Sequence, residues 1–416
     1  MILAKLKGLR SRPSSWGLVT EVSTLGMSLL TFVVVGESLG PAAFGTLAAT
    51  LATIALLAPL LTASPEHVLV QRIAQDVSVG FAWKQGLGIL LLVGPLVSLV
   101  MVVVAMVVSP SMSPIAVFLL SMGEVSFLGV ARLGIRAHEA VDASHLGARI
   151  AVVSLLTRSL ALVVFLFSSD PSIDTWVVLH LLASVVVAVY AHWSLHGRGE
   201  FLPRLSLPTV EDYKLGLPFA LNAGPDGFLS NNDKMVLTGS GLEAEAGIYS
   251  AAYRVVSISS VPARSILRTR YASFFRTQNQ EAEASIANIK SVLRATVPAG
   301  VLSGALLFIF APVTRFVLGE DFSDSVDALR WLAFLPVVRS ISTPCANVLT
   351  GTGRQRLRIA GTAGAAAFNF GLNLLFIPSF GWRAAAATTL IAEIVLLAWI
   401  GFHVFRKRPR AKTPAS

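Results

Sequence analysis

The chain of 416 residues is 54% hydrophobic and only 13% charged, with a formal net charge of +10 and a mean hydropathy of +0.71. Soluble domains hold about 25% charged residues, so these figures exclude an ordinary water-soluble enzyme. The basic excess calls for either topology or a nucleic-acid partner to explain it, and its placement along the chain decides for topology.

The N-terminal segment MILAKLKGLRSRPSSWG is basic, and no small-residue cleavage site follows it at the expected place. It reads as a cytoplasmic tail leading into an uncleaved first span. Downstream, runs such as GILLLVGPLVSLVMVVVAMVVS (88–109) supply the about 20 apolar residues that a membrane helix needs. The short alternating segments of a membrane barrel are absent. Expected spans in the first half cover about 15–35, 42–63, 84–108, 114–131, 150–168 and 175–195. In the second half they cover about 214–237, 245–268, 294–312, 330–349, 358–377 and 383–404. The expectation is an all-α polytopic membrane protein of about twelve transmembrane helices.

Cytoplasmic loops collect Lys and Arg. With the N-terminus inside, the expected inner segments hold 26 of the 33 basic residues, from Lys5 and Arg12 through Arg132 and Arg136 to residues 406–412. The expected outer loops hold only Arg315 and Arg383. A multi-pass protein with both termini cytoplasmic therefore accounts for the charge, and no nucleic-acid partner is needed.

The polar stretch HGRGEFLPRLSLPTVEDY (196–213) falls at mid-chain. It is the expected cytoplasmic connector (197–213) between an N-terminal six-helix lobe (1–196) and a C-terminal six-helix lobe with a basic tail (214–416). GESLGPAAFGTL (36–47) and TGSGLEAEAGIY (238–249) echo one another, with Gly45 and Gly247 separated by 202 residues. Lobes with an even number of spans would be parallel repeats about an axis along the membrane normal.

Apart from residues at the span ends and those counted as cytoplasmic, nine charges fall within the expected spans: Glu21, Glu124, Arg158, Asp226, Asp233, Lys234, Arg254, Arg339 and Glu393. Facing lipid at roughly 2.5–3.5 kcal/mol each, they would cost on the order of 25 kcal/mol. Most must face each other or water, and a central water-filled cavity between the lobes is the economical expectation. Asn222, Asp226, Ser230 and Asp233 share one face of the seventh span, which Gly224, Pro225 and Gly227 are expected to interrupt. Tyr249, Tyr253, Ser257, Ser260 and Arg264 form a comparable stripe on the eighth. The tenth span offers Arg339, Thr343 and Asn347, and the eleventh offers Asn369 and Asn373. Each has a plainer alternative: small polar residues also join helices, and Asp233 and Lys234 could form a structural pair.

Catalysis has no support in the residues. The seven histidines are scattered, HExxH is absent, and GTGR (351–354) lacks the Lys-Ser/Thr that completes a phosphate loop. No cofactor and no metal are expected, and Cys345 reads as a small buried hydrophobe.

Four stretches together resemble the bacterial polysaccharide transporters, the O-antigen flippases of the multidrug/oligosaccharidyl-lipid/polysaccharide exporter superfamily. They are SLGPAAFGTL (38–47), NNDKMVLTGSGLEAEAGIYSAAYRV (231–255), LTGTGRQRLRIAG (349–361) and FNFGLNLLFIPSFGWRAAAATTLIAEIV (368–395). The resemblance implies a two-lobed fold around a hydrophilic cavity in the bacterial plasma membrane. The implied substrate is a polyprenyl-diphosphate-linked oligosaccharide, flipped to the outer leaflet for polysaccharide biosynthesis, with membrane lipids as surroundings. It further implies a monomer associated with polymerase machinery. Arg158, Arg254 and Arg339 would hold the diphosphate, because a guanidinium fork matches phosphate oxygens. Asn222, Asp226, Asp233, Tyr253, Asn369 and Asn373 would line the cavity. Glu21, Asp226 and Glu393 are candidates for a coupling proton or sodium ion. One feature departs from the pattern: the nine charges are four positive and five negative, so the expected cavity is not plainly cationic. A multidrug extruder of the same superfamily is the alternative.

Overall fold

The computed structural model describes residues 13–195, 208–260, 267 and 282–406. These residues are helical nearly throughout, and no strand occurs among them. In chain order the helices are α1 (Pro13–Thr62), α2 (Pro65–Ala74), α3 (Val79–Val108), α4 (Pro114–Glu139), α5 (Ser144–Leu166) and α6 (Ile173–Ser194). They continue with α7 (Val210–Leu229), α8 (Asn232–Gly239), α9 (Glu243–Ser259), α10 (Ala282–Phe310) and α11 (Val313–Leu318). The last are α12 (Ser325–Leu332), α13 (Leu335–Gly351) and α14 (Gln355–Phe405).

Seven described helices are long and apolar enough to cross a membrane, or eight if Glu320–Leu332 and Leu335–Gly351, bent by 43°, form one span. Their outward faces are apolar: Val103, Val107, Leu156, Leu160, Phe308 and Ile309 are all exposed. Water would not tolerate so much contiguous apolar surface, whereas lipid tails solvate it. The protein is an all-α polytopic membrane protein.

Two long helices are broken at glycine. Gly40 sits inside α1 at φ 72°, ψ 171°, and Gly381 inside α14 at φ 55°, ψ −137°. Only glycine adopts such angles without strain, and Pro41 also disfavours helical geometry at the residue before it. Two other helices widen without breaking. α3 contains a π turn at Ile89–Val93 and α4 one at Met122–Phe127. The two pack closely, since a Cβ on Gly94 would lie 3.3 Å from Ser126 Cβ and one on Gly129 2.7 Å from Leu90 Cδ2.

The expected interruption of the seventh span is displaced. The helix α7 runs on through Gly224, Pro225 and Gly227 and ends at Leu229, with a turn at Ser230 and Asn231 before α8. A proline removes one helical hydrogen bond without forcing a stop. The actual break is held by Asn232, whose side-chain amide donates to the Phe228 carbonyl at 2.7 Å.

Contacts divide the chain into two units, Met1–Gly227 with Lys234–Gly247 and Phe228–Asp233 with Ile248–Ser416. The first unit has one core around Met101, Leu120, Phe165 and Trp176, and a second around Leu69, Trp83, Leu133 and Ile150. Within it, Gly45 and Gly247 meet backbone to backbone. The start of α7 is capped reciprocally: Thr209 N–H and Oγ1 donate to Asp212 Oδ2 at 2.7 and 2.8 Å, and Asp212 N–H donates to Thr209 Oγ1 at 3.3 Å. The other carboxylate oxygen of Asp212 accepts from Arg72 at 2.6 Å, and Arg72 also donates to Gln85. The core of the second unit gathers Leu229, Ile289, Val292, Leu349, Leu396 and Ile400, with Cys345 buried among them.

Candidate functional site

In the second unit, spacing of four places Tyr249 and Tyr253 on one face of α9. Arg339, on α13, donates from Nε to Glu393 Oε1 at 2.7 Å and from NH2 to the Tyr253 hydroxyl at 2.8 Å. Its guanidinium also lies 5.6 Å from the centre of the Tyr253 ring. Two residues expected in separate roles, Arg339 for phosphate and Glu393 for a coupling ion, are thus one ion pair. A buried charge must be paired to be tolerated, and here the pair joins α13 to α14.

Beside this pair is a cavity of about 150 Å³, lined by Arg339, Ser257, Ser260, Ser303, Ser340 and Thr343. Ser257, Ser260, Ser303 and Ser340 each donate their hydroxyl proton to a helix carbonyl, of Tyr253, Val256, Ser259 and Val337 respectively. A hydroxyl that has donated still offers oxygen lone pairs. The cavity therefore presents acceptors, next to a guanidinium whose charge Glu393 balances.

A second network is sealed. Asn232 donates to Asn369 Oδ1 at 2.8 Å, Asn373 donates to Asn232 Oδ1 at 2.7 Å, and Thr388 donates to Asn373 Oδ1. Asp233 accepts from the Tyr249 hydroxyl at 2.5 Å and from Thr389 at 3.4 Å. Asn232, Asp233, Asn369 and Asn373 have no exposed surface. They bond to one another and to Phe228, Tyr249, Thr388 and Thr389, and so tie the α7–α8 break to α9 and α14.

The remaining candidates are dispersed. Asn222 is half-buried and Asp226 exposed on α7, and Arg254 is exposed on α9. The units divide the predicted polar stripe, with Asn222 and Asp226 in the first and Ser230 and Asp233 in the second. Glu21 lies on α1, and its side chain falls outside the described residues, as does Arg264.

The first unit holds a cluster that sequence reasoning assembled only in part. Glu124, in the π turn of α4, has Oε1 3.2 Å from His180 Nε2 on α6. Arg132 donates to the Glu124 backbone carbonyl at 3.0 Å, and Arg158 on α5 is within electrostatic range of the carboxylate. Glu124 and Arg132 line a cavity of about 250 Å³ with Glu66, Thr62, Pro59 and Leu90. Glu124 was visible as a charge inside a span. Its partner was not, because a lone histidine in an apolar run carries no signal of what it faces. No group of three or more His, Cys, Asp or Glu among the described residues could hold a metal ion.

No protein-family model and no curated protein matches the chain. Solved structures do. An inward-facing multidrug resistance MATE family transporter of the MOP superfamily is similar with a TM-score of 0.71 at 15% identity, over 95% of this chain and 98% of that one. The outward-facing form of such a transporter gives 0.61 at 16%, over 95% and 97%. A MOP superfamily transporter from Pyrococcus furiosus, described as having a binding pocket of reversed polarity, gives 0.59 at 16%, over 95% and 97%. The fold is the MATE transporter fold. Helices in this fold hold the Arg339–Glu393 and Glu124–His180 pairs.

Proposed function

We propose that this protein is a membrane transporter working by alternating access, and that it flips a polyprenyl-diphosphate-linked oligosaccharide to the outer leaflet. The MATE fold supports transport. The observation that carries the substrate class is the cavity at Arg339, which combines a guanidinium with a lining of serine and threonine oxygens. A diphosphate can replace Glu393 on the guanidinium fork, and sugar hydroxyls can donate to the lone pairs around it. Glu393, released in that exchange, is left to take a proton or sodium ion. The two-lobe organisation (1–196, 197–213, 214–416), the bacterial plasma membrane, cytoplasmic termini and association with polysaccharide polymerase machinery belong to the same reading.

The second reading, a cation-coupled multidrug extruder, draws on the MATE multidrug transporters among its structural relatives and on the exposed carboxylate of Asp226. Reconstitution separates the two. Purified protein in proteoliposomes is given a polyprenyl-diphosphate-sugar on one leaflet, beside a cationic dye. Appearance of the glycolipid on the other leaflet without dye movement supports the flippase. Dye movement alone transfers the protein to the extruders.

A further inference from the structure

His180 is 2% exposed, in the middle of an apolar helix. Its Nδ1 has no hydrogen-bond partner among the described residues. Its Nε2 lies at ion-pair distance from Glu124, 3.2 Å, but the ring N–H does not point at the carboxylate as a hydrogen bond requires. An imidazole held only by attraction is poorly satisfied when neutral, since a buried unpaired polar atom costs about 1–3 kcal/mol. Joining helices would be served better by a neutral amide.

Three features of the backbone converge on this pair. The π turn Met122–Phe127 inserts an extra residue at Glu124 and so changes which face of α4 the carboxylate occupies; such bulges recur at functional sites. Gly123 leaves room for the ring, since a Cβ there would lie 3.1 Å from His180 Cδ2. Glu124 also lines the cavity of about 250 Å³, which has room for several waters. His180 therefore sits behind a carboxylate that water can reach.

We propose that Glu124 and His180 form a proton-binding site in the first unit, separate from the Arg339 cavity. A proton arriving through cavity water passes by way of the Glu124 carboxylate to the imidazole, and the imidazolium is held by the carboxylate opposite. No other bond is made or broken. The charged groups facing the pair are Arg132 from α4, Arg158 from α5 and Glu66 across the cavity. From α3 the cavity receives Leu90 and no charge. α1 carries Glu21, whose side chain lies outside the described residues. With the proton bound, Arg132 and Arg158 compete with the imidazolium for one carboxylate. With it lost, they share that carboxylate.

The molecule carries its own probe. The Trp176 ring lies 5.9 Å from the His180 ring, and an adjacent imidazolium quenches indole emission. The chain has seven tryptophans, so the difference between the protein and Trp176→Phe isolates the signal. In purified full-length protein, that difference signal is expected to fall by half or more between pH 8 and pH 5. His180→Gln should abolish the change and Glu124→Gln should displace its midpoint. A flat difference signal, or a titration that survives His180→Gln, overturns the proposal. If His180→Gln does not fold, an unchanged midpoint in Glu124→Gln does the same. The link to transport rests on the reading above and has its own arm: an imposed pH gradient should accelerate transfer by the unsubstituted protein and not by His180→Gln. Equal acceleration would remove this site from the cycle while leaving the fluorescence result intact.

Discussion

Gly45 and Gly247 touch backbone to backbone, so that a Cβ on Gly45 would lie 2.6 Å from the Gly247 nitrogen. The contact is reciprocal: the Glu243 carbonyl lies against Gly45 and the Pro41 carbonyl against Gly247. Gly45 and Gly247 are 202 positions apart in the chain, and so are Pro41 and Glu243. The echo between 36–47 and 238–249 is thus a local two-fold contact, in which each segment places its glycine against its counterpart's first helical turn. Backbone atoms cannot move aside as side chains do, so Gly45→Ala or Gly247→Ala should cost at least about 1–3 kcal/mol. The double substitution should cost less than the sum, because both insertions separate the same helices. Thermal unfolding in detergent measures this; a Gly45→Ala protein that unfolds with the parent would refute the contact.

Removing one partner of the Arg339–Glu393 pair leaves a buried charge alone. Arg339→Ala should destabilise by about 3–5 kcal/mol. Arg339→Met with Glu393→Leu should recover much of that loss in stability while abolishing transport. Unfolding and leaflet transfer on the same preparations separate the two effects; a double substitution no more stable than Arg339→Ala contradicts the pairing.

Diphosphate recognition is tested separately at Arg158 and Arg339. Replacing both with alanine should reduce glycolipid transfer at least tenfold. Unchanged transfer would show that neither guanidinium holds the phosphates.

Asn232→Ala strips the Phe228 carbonyl and the Asn369 and Asn373 amides of a partner. A loss of about 2–3 kcal/mol is expected, with Asn232→Ser recovering part of it. Faster amide exchange across 225–235 should accompany the loss. Exchange confined to the chain ends would show that the break is held by something else.

Much of the fold could be read from hydropathy, because lipid imposes length and apolarity on every crossing segment. The π turns could not. Nothing in ILLLV or MGEVSF announces an extra residue per turn, although that residue decides where Glu124 faces. The position of the break in the seventh span was hidden for a related reason. Gly224, Pro225 and Gly227 pointed to an interruption among themselves, whereas the helix ends at Leu229 and Asn232, outside the expected stripe, bonds to Asn369 and Asn373. Arg339 and Glu393 were each legible as costly charges inside spans. Their pairing across 54 residues is a property of packing, which single-chain spacing does not record.

Gly381 has a consequence in plain lengths. A straight helix of 51 residues, like α14 without its break, would measure about 75 Å. The hydrocarbon layer is about 30 Å thick, so an unbent rod of that size would leave more than half its greasy surface stranded in water. One residue without a side chain is what lets the stretch be accommodated at all. A β-branched residue at 381 would therefore do its damage during insertion, as a failure to take up a place in the bilayer, before any question of folded stability arose.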